Sequence, residues 1–549
     1  MTRPFGTISR ATWFAFATYL AISSVLTLSW WRGLSPFPFL GSDAGNIAGY
    51  AAAWADREAF SGDPVLGDVN NFRFYATAHI PALIALRWVV GDFGGAFLVL
   101  LLATMLVQAW GFYRLGKLLF ENRLGAWLLG VLSFGTVSLT IDYWGTYHDA
   151  QPRFVYAAIL PYLLAAAIRR ANQPLAWPGL FLAHGLASYV HPVSGPSVAL
   201  ATWLMLLARG PRGLSPPAWI AQLIKAGAIY SLVFLPFAVN YLMGREFGRT
   251  ADFESMMATY IDLLEAVHID GMLYVRTIMT AWQAWLLLPA WGLAGAAAVW
   301  RLAPEKRGQL GLLALWLAGI VAASLGVTLV EQAVARALRV LPPEIDTIRN
   351  VRYVFPVLIV WGLWGTLLFA GRVFSGRGAA MAATLVALAW FAANKPGVLP
   401  TRATLACLGQ GRLLCPPADW VDRGQVLEWL KRNIPRGTKV LPALDRHERS
   451  LDVGVAVRYH ARLPVAFSYK DGGTTLGYAN DAALSQWKNT ARRLESAWAA
   501  RDLGAILSLA GELDAAVVLL DFVPAPLLPE PWRIVLTRGN YVVLARSAM

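Results

Sequence analysis

Acids, bases and guanidinium groups gather in a few short polar stretches of an otherwise apolar chain, and those stretches are where chemistry can be done. The first is Gly41 to Trp54, GSDAGNIAGYAAAW, which places Asp43 shortly after an apolar segment running from Ala11 to Trp30. A carboxylate at the edge of a membrane is partly desolvated, which raises its pKa and suits it to take a proton from an attacking hydroxyl. Such a general base supplies about 10² to 10⁴ in rate. The plainer reading is that Ser42 and Asp43 cap a helix starting near Ala44. Residue types alone leave both open.

From Tyr50 to about Asp92 the chain is polar but rich in Trp, Phe, Tyr and Pro, as suits a loop lying on a bilayer. Asp56, Arg57 and Glu58 are spaced like a solvated helix face, and Asp63 and Asp68 follow. Arg73 and His79 flank the aromatic group Phe72, Phe74 and Tyr75, where they could meet a substrate phosphate or anchor to lipid headgroups. A second stretch, DYWGTYHDAQPR, packs Asp142, Tyr147, His148, Asp149, Gln151 and Arg153 into one turn. It reads either as a solvated connector or as a place where aromatic rings beside an acid and a base bind sugar. On the second reading Asp149 is a further acid and His148 a phosphate or hydroxyl partner, with Tyr147 and Arg153 beside them.

Two more stretches bring single groups. In HPVSGP, residues 191 to 196, the Pro and Gly serve a turn, and His191 is incidental to it or faces the same pocket. In IDTIRNVRYVFP, Arg349 and Arg352 stand three residues apart, so they share a helical face and can clamp a phosphate. Lipid anchoring is the alternative. Arg352 is nearer the apolar segment that follows.

The elements that must position these groups are helices. Of 549 residues 57% are hydrophobic and only 15% charged, against roughly 25% charged in globular domains, which makes a multispanning membrane protein. Apolar runs of spanning length fall at about 11–30, 94–119, 124–141, 153–168, 175–190, 193–208, 218–240, 275–300, 308–330, 351–371 and 378–394, about eleven spans. With the N-terminus cytoplasmic, Lys117 and Arg123, Arg169 and Arg170, Arg209 and Arg212, Arg301 with Lys306 and Arg307, and Arg372 with Arg377 all fall in cytoplasmic loops, as the positive-inside rule asks. The net charge of +14 then marks orientation, and no nucleic-acid partner is expected. The outer face receives loops 31–93, 142–152, 241–274 and 331–350, and an odd span count puts the tail there too. Ionisable groups are almost absent from the spans, apart from His184 and Lys225, which speaks against a translocator with a polar path.

From about residue 395 the pattern is that of an α/β domain. A helix is expected over Gly424–Asn433, strands over Lys439–Ala443, Leu463–Tyr469 and Ala515–Asp521, a helix over Asp481–Arg501, and a closing hairpin around Gly539-Asn540. Cys407 and Cys415, the only cysteines, stand just ahead of it on the expected outer side, where a disulfide is favoured over two thiols. The outer acids could ligate a divalent metal such as Mg or Mn, though no spacing requires it. No P-loop, dinucleotide fingerprint, Gly-x-Ser-x-Gly elbow or His-Glu-x-x-His helix occurs.

A first span, a long outer loop with an early acid at Asp43, many further spans and an outer α/β tail containing VLEWLKRNIPRGTKVLPAL together resemble the GT-C superfamily of membrane glycosyltransferases, in a poorly characterised bacterial branch. The resemblance implies a bacterial inner-membrane enzyme with a periplasmic C-terminal domain. It implies a sugar donor linked to polyprenyl phosphate and a glycan, lipid or protein acceptor, with Asp43 as the outer-loop acid, Arg352 on the donor phosphate, and inversion at the anomeric carbon. Better-known members often pair two acids in the first loop; here Asp43 is followed by Ala44, and Asp149 is the substitute. A lipid or polysaccharide translocator and a non-catalytic assembly subunit are the rival readings.

Overall fold

A computed structural model of the chain describes residues 9–31, 40, 42–135, 137–139, 142–144, 150–211, 215–243, 252–264, 270–280, 287–342, 346–373, 376, 378, 381–382, 384–385, 406–411, 418–444, 453–472, 481–524 and 528–547. The first part is a bundle of apolar helices: α1 (Arg10–Trp31), α2 (Ser42–Ala55), α3 (His79–Val90), α4 (Phe93–Phe120), α5 (Arg123–Leu132), α6 (Pro152–Arg170), α7 (Trp177–Ser188), α8 (Ser194–Arg209), α9 (Pro216–Met243), α10 (Phe253–Leu264), α11 (Gly271–Thr280), α12 (Leu287–Leu302), α13 (Arg307–Leu338) and α14 (Val354–Val373). Among the described residues six helical segments are long and apolar enough to cross a membrane: Arg10–Leu28, Phe93–Phe120, Pro152–Arg170, Pro216–Met243, Pro304–Leu338 and Thr347–Val373. The protein is therefore a polytopic helical membrane protein with an α/β domain at its C-terminus.

Local sequence sets the helix ends. Asp92 starts α4 by accepting from the Gly95 N–H at 2.8 Å, Asn122 starts α5 by accepting from Leu124 and Gly125, and Pro152, which has no N–H to leave unsatisfied, opens α6. Several expected spans differ in extent. The run at 124–141 gives only the ten-residue α5, after which β1 (Val137–Leu139) and β2 (Asp142–Trp144) form an antiparallel hairpin. Valine, leucine and aromatic residues favour this short ladder once the helix has ended. Of the run at 275–300, the described residues belong to α11 and α12, and the loop expected over 31–93 is itself partly helical, as α2 and α3.

The C-terminal domain contains α15 (Ala418–Asn433), β3 (Val440–Leu441), α16 (Asp481–Ala499), α17 (Leu503–Glu512), β4 (Val517–Leu520), β5 (Trp532–Arg538) and β6 (Tyr541–Arg546). Its sheet runs β3-β4-β6-β5, with β3 parallel to β4 and the others antiparallel. Gly539, at φ +54°, makes the β5–β6 turn. Period-two alternation sorts the central strands into two faces. Val440, Val517, Leu519 and Val543 face α15 and the membrane half, while Leu441, Val518, Leu520, Val542 and Leu544 pack on Leu484, Leu494, Ile506 and Leu509 of α16 and α17. The strand expected over Leu463–Tyr469 is reduced to one bridge, Val440 to Val465, and Tyr469–Asp471 turns helical instead.

The two parts share a core. Ala44, Ile47, Ala48 and Ala51 of α2 belong to the same buried apolar cluster as Val453, Val455, Val457 and Tyr459. A Cβ on Gly45 would stand 2.6 Å from Cγ1 of Val455, and one on Gly49 would stand 3.5 Å from Cβ of Arg458. Gly45 and Gly49 lie one helical turn apart, so the GNIAG run presents a flat backbone strip to the 453–461 segment.

Candidate functional site

Contact between α2 and the C-terminal domain decides the surroundings of Asp43. In the first turn of α2, its carboxylate is ion-paired on one oxygen with Nη2 of Arg153, at the start of α6, and on the other with Nζ of Lys470 from the C-terminal domain. The side chain keeps 31% of its accessible surface. Burial alone would raise the pKa, as expected from the sequence, but Lys470 and Arg153 outweigh it, with Arg349 adding to them, and hold the carboxyl well below the usual range. Asp43 in this state is an ionised, doubly countered carboxylate. No cap of α2 by its side chain is among the described hydrogen bonds.

Other groups converge from separate elements. Arg349 and Arg352 lie on the 3-10 turn Thr347–Tyr353 that leads into α14. Arg349 pairs with Asp346 at 3.2 Å, and Arg352, buried, donates from Nε to the Arg349 carbonyl at 2.6 Å. Four cations, Arg153, Arg349, Arg352 and Lys470, and the carboxylates of Asp43 and Asp346 are thus drawn from separate elements into one charged neighbourhood.

His191, in the turn before α8, is fixed by a polar network. Its Nδ1 lies 2.7 Å from Ser194 Oγ and accepts from the Ser194 N–H at 3.2 Å. Ser194 Oγ also accepts from the Tyr353 hydroxyl at 2.6 Å and contacts Asn350 Oδ1 at 3.0 Å, and Asn350 donates to Ser197 Oγ at 2.9 Å. Burial, then Arg153, Arg352, Arg349 and His79, push the His191 pKa well down and keep the ring neutral. His79, the first residue of α3, is buried beside this turn, and the Ala78 N–H donates to the Tyr189 carbonyl at 2.8 Å.

Asp43, Arg153, His191, His79 and the Arg349–Arg352 turn all stand at or just before helix N-termini, of α2, α6, α8, α3 and α14. Partial positive charge from those termini adds to that of the guanidinium and ammonium groups.

The chain is similar to solved membrane transferases. An oligosaccharyltransferase from Archaeoglobus fulgidus, solved with Zn and sulfate, matches at 12% identity over 92% of this chain and 68% of its own, with a TM-score of 0.48. ArnT from Cupriavidus metallidurans matches in its apo state at 13% identity over 98% of both chains, with a TM-score of 0.47, and bound to undecaprenyl phosphate at 12% and 0.41. No protein-family profile and no curated protein matches the chain.

Sequence-expected groups outside this cluster fare differently. Tyr147, His148 and Asp149 lie outside the described residues, and Asp142 is described only as part of the β2 backbone. Arg73 sits on the 3-10 turn Val69–Tyr75, its carbonyl accepting from Asn240 at 3.4 Å; no described contact carries its guanidinium to Asp43. Cys407 is disulfide-bonded, and Cys415 lies outside the described residues. No three His, Cys, Asp or Glu side chains among the described residues stand together as a metal site.

Lys470 and the group that holds it were not foreseen. Arg458, fully buried, donates from Nε and Nη2 to Asp63 at 2.8 and 2.7 Å, and from Nη1 and Nη2 to Asp471 at 2.6 and 2.8 Å. Asp63 also accepts the N–H groups of Val65, Leu66 and Val465 at 3.0, 2.9 and 3.0 Å. Burial would depress the guanidinium, but Asp471 and Asp63 outweigh it and keep it charged. In the sequence Asp63 is one acid among several in a polar loop, and Lys470 is one Lys after an apolar run. Only tertiary contact distinguishes them.

Proposed function

We propose that this protein transfers a sugar from a polyprenyl-phosphate-linked donor to an acceptor on the extracytoplasmic face of the membrane. The observation that carries the reading is the carboxylate of Asp43, ion-paired with Arg153 and Lys470, in the field of Arg349 and close to the turn that bears Arg352. Guanidinium and ammonium groups suit a phosphate, the helices suit a lipid tail, and a carboxylate within the same cluster suits an acceptor hydroxyl. Orientation is supported by the far ends of the helices that lead away from the cluster: α6 ends in Arg169 and Arg170, α8 in Arg209, and α14 has Arg372 in its last turn. Positive-inside places those ends in the cytoplasm and the cluster opposite.

In the reaction Asp43 takes the proton of the acceptor hydroxyl as its oxygen attacks the anomeric carbon. The bond to the phosphate oxygen breaks with its electron pair on the leaving phosphate, whose charge Arg352 and its neighbours offset. One direct displacement inverts the anomeric centre. His191, held neutral, adds a polar ring to the cluster without adding charge.

Purified protein assayed with a panel of polyprenyl-phosphate sugars tests the proposal. Asp43→Asn is expected to lower transfer by about 10² to 10⁴, and Arg352→Ala to reduce both donor binding and turnover. Full transfer by Asp43→Asn removes the proposed base.

A further inference from the structure

The C-terminal domain, by every local sign a separate small α/β unit, puts one charged side chain into the cluster. Lys470 reaches Asp43 because three arrangements act together. Gly45 and Gly49 let the 453–461 segment approach the backbone of α2. The Tyr459 hydroxyl accepts from the Leu40 N–H at 3.1 Å, just ahead of α2. Asp471, the next residue after Lys470, is held by Arg458, which is held in turn by Asp63 of the first outer loop. The ammonium is thus presented by a buried framework, while its own side chain retains 26% of its accessible surface and can exchange partners.

We propose that Lys470 is an exchangeable counter-ion: it neutralises Asp43 while the site is empty and moves to the donor phosphate when donor binds, leaving the carboxylate to accept a proton. This rests on the phosphate-donor reading given above. A phosphate brings more charge than a carboxylate and more acceptor oxygens, so it competes for the same ammonium. Arg153 on the other oxygen shares in the exchange but belongs to the membrane bundle, whereas Lys470 makes the C-terminal domain part of the donor site. Arg458 acts through Asp471 as a positioning residue.

The test measures binding of farnesyl phosphate, with farnesol as the uncharged control, to the full chain in lipid nanodiscs. Wild type is expected to bind the phosphate more tightly than the alcohol. Lys470→Ala should weaken phosphate binding by about tenfold and leave farnesol binding unchanged, with Lys470→Arg restoring most of the loss. Asp43→Asn, though impaired in transfer, should bind the phosphate more tightly, because the cations no longer have to leave a carboxylate. That gain should shrink in the Asp43→Asn/Lys470→Ala double variant, since simple repulsion between Asp43 and phosphate predicts the same gain in both backgrounds. A gain of equal size with and without Lys470, or unchanged phosphate affinity in Lys470→Ala, overturns the exchange. Equal affinity of wild type for farnesyl phosphate and farnesol sinks the underlying donor reading as well, so the two failures are distinguishable.

Discussion

Replacing Arg458 with Met removes the guanidinium that ties the loop containing Asp63 to the C-terminal domain while keeping similar side-chain bulk. Arg458 and Asp63 are fully buried and Asp471 nearly so, with side-chain exposures of 0%, 0% and 2%. With charge centres about 4 Å apart and an effective dielectric constant of about 20, each carboxylate contributes roughly 4 kcal/mol of gross attraction. Desolvation cancels part of that in the wild type, but it is not recovered when one partner goes and two carboxylates are left in place. Breaking a buried pair in this way costs about 3–5 kcal/mol. For a cooperative unit of this size each kcal/mol moves the melting temperature by roughly 2–4 °C, so a fall of roughly 6–20 °C is expected. Tryptophan fluorescence during thermal unfolding in detergent measures it, with Trp487 on the sheet-packing face of α16 as a local reporter. Adding Asp63→Asn and Asp471→Asn to the Met variant should recover part of the loss, because the stranded charges are then gone. A fall of less than about 3 °C for Arg458→Met refutes the claim that this triad joins the two parts.

Gly45→Leu places side-chain atoms where even a Cβ would stand 2.6 Å from Val455, so it should loosen the C-terminal domain from α2 and open the 453–472 segment to limited proteolysis. Unchanged protease resistance counts against that contact. His460, buried against Glu428 at 2.8 Å with Lys431 nearby, has its pKa pushed down to about 4 by burial, and Glu428 only partly opposes this. Its unfolded value is near 6.5, so between pH 6.5 and 4 the unfolded chain binds more protons and stability falls as pH falls, by about 3 kcal/mol at most. His460→Gln should flatten the dependence of melting temperature on pH across that window, and an unaltered slope assigns the acid sensitivity elsewhere.

What the sequence discloses is the apolar scaffold and the identity of most charged groups near its ends. Spans such as 94–119 and 153–168 emerge as α4 and α6 almost residue for residue, because length and apolarity suffice to specify a helix in a bilayer. The hairpin around Gly539-Asn540 is equally legible from turn chemistry. Arg153, His191, Arg349 and Arg352 could each be picked out as a polar residue beside an apolar run. Their assembly around Asp43 could not be read, because it depends on which helix ends meet. The state of Asp43 was read with the wrong sign: desolvation is visible in sequence, whereas Lys470, more than 400 residues away, is not. Asp63 does not stand out among the loop acids for the same reason, its partner Arg458 being 395 residues distant.

On the proposed transfer reaction, these long-range pairings bear on how Asp43 would favour an acceptor over water. An ionised carboxylate facing water beside an activated donor would deprotonate water as readily as an acceptor hydroxyl, and the donor would be lost. Asp43 is countered on both oxygens, which lowers its basicity. If donor phosphate withdraws those cations, basicity rises only once the donor is seated, and the acceptor need compete with water only in the filled site. The stretch GSDAGNIAGY then does two things at once. Gly45 and Gly49 bring the C-terminal domain onto α2, and through that contact the domain delivers the counter-ion that holds Asp43 in check. Variants that detach the domain while leaving the membrane half folded should accordingly raise donor hydrolysis relative to transfer, which release of free sugar in the absence of acceptor would record.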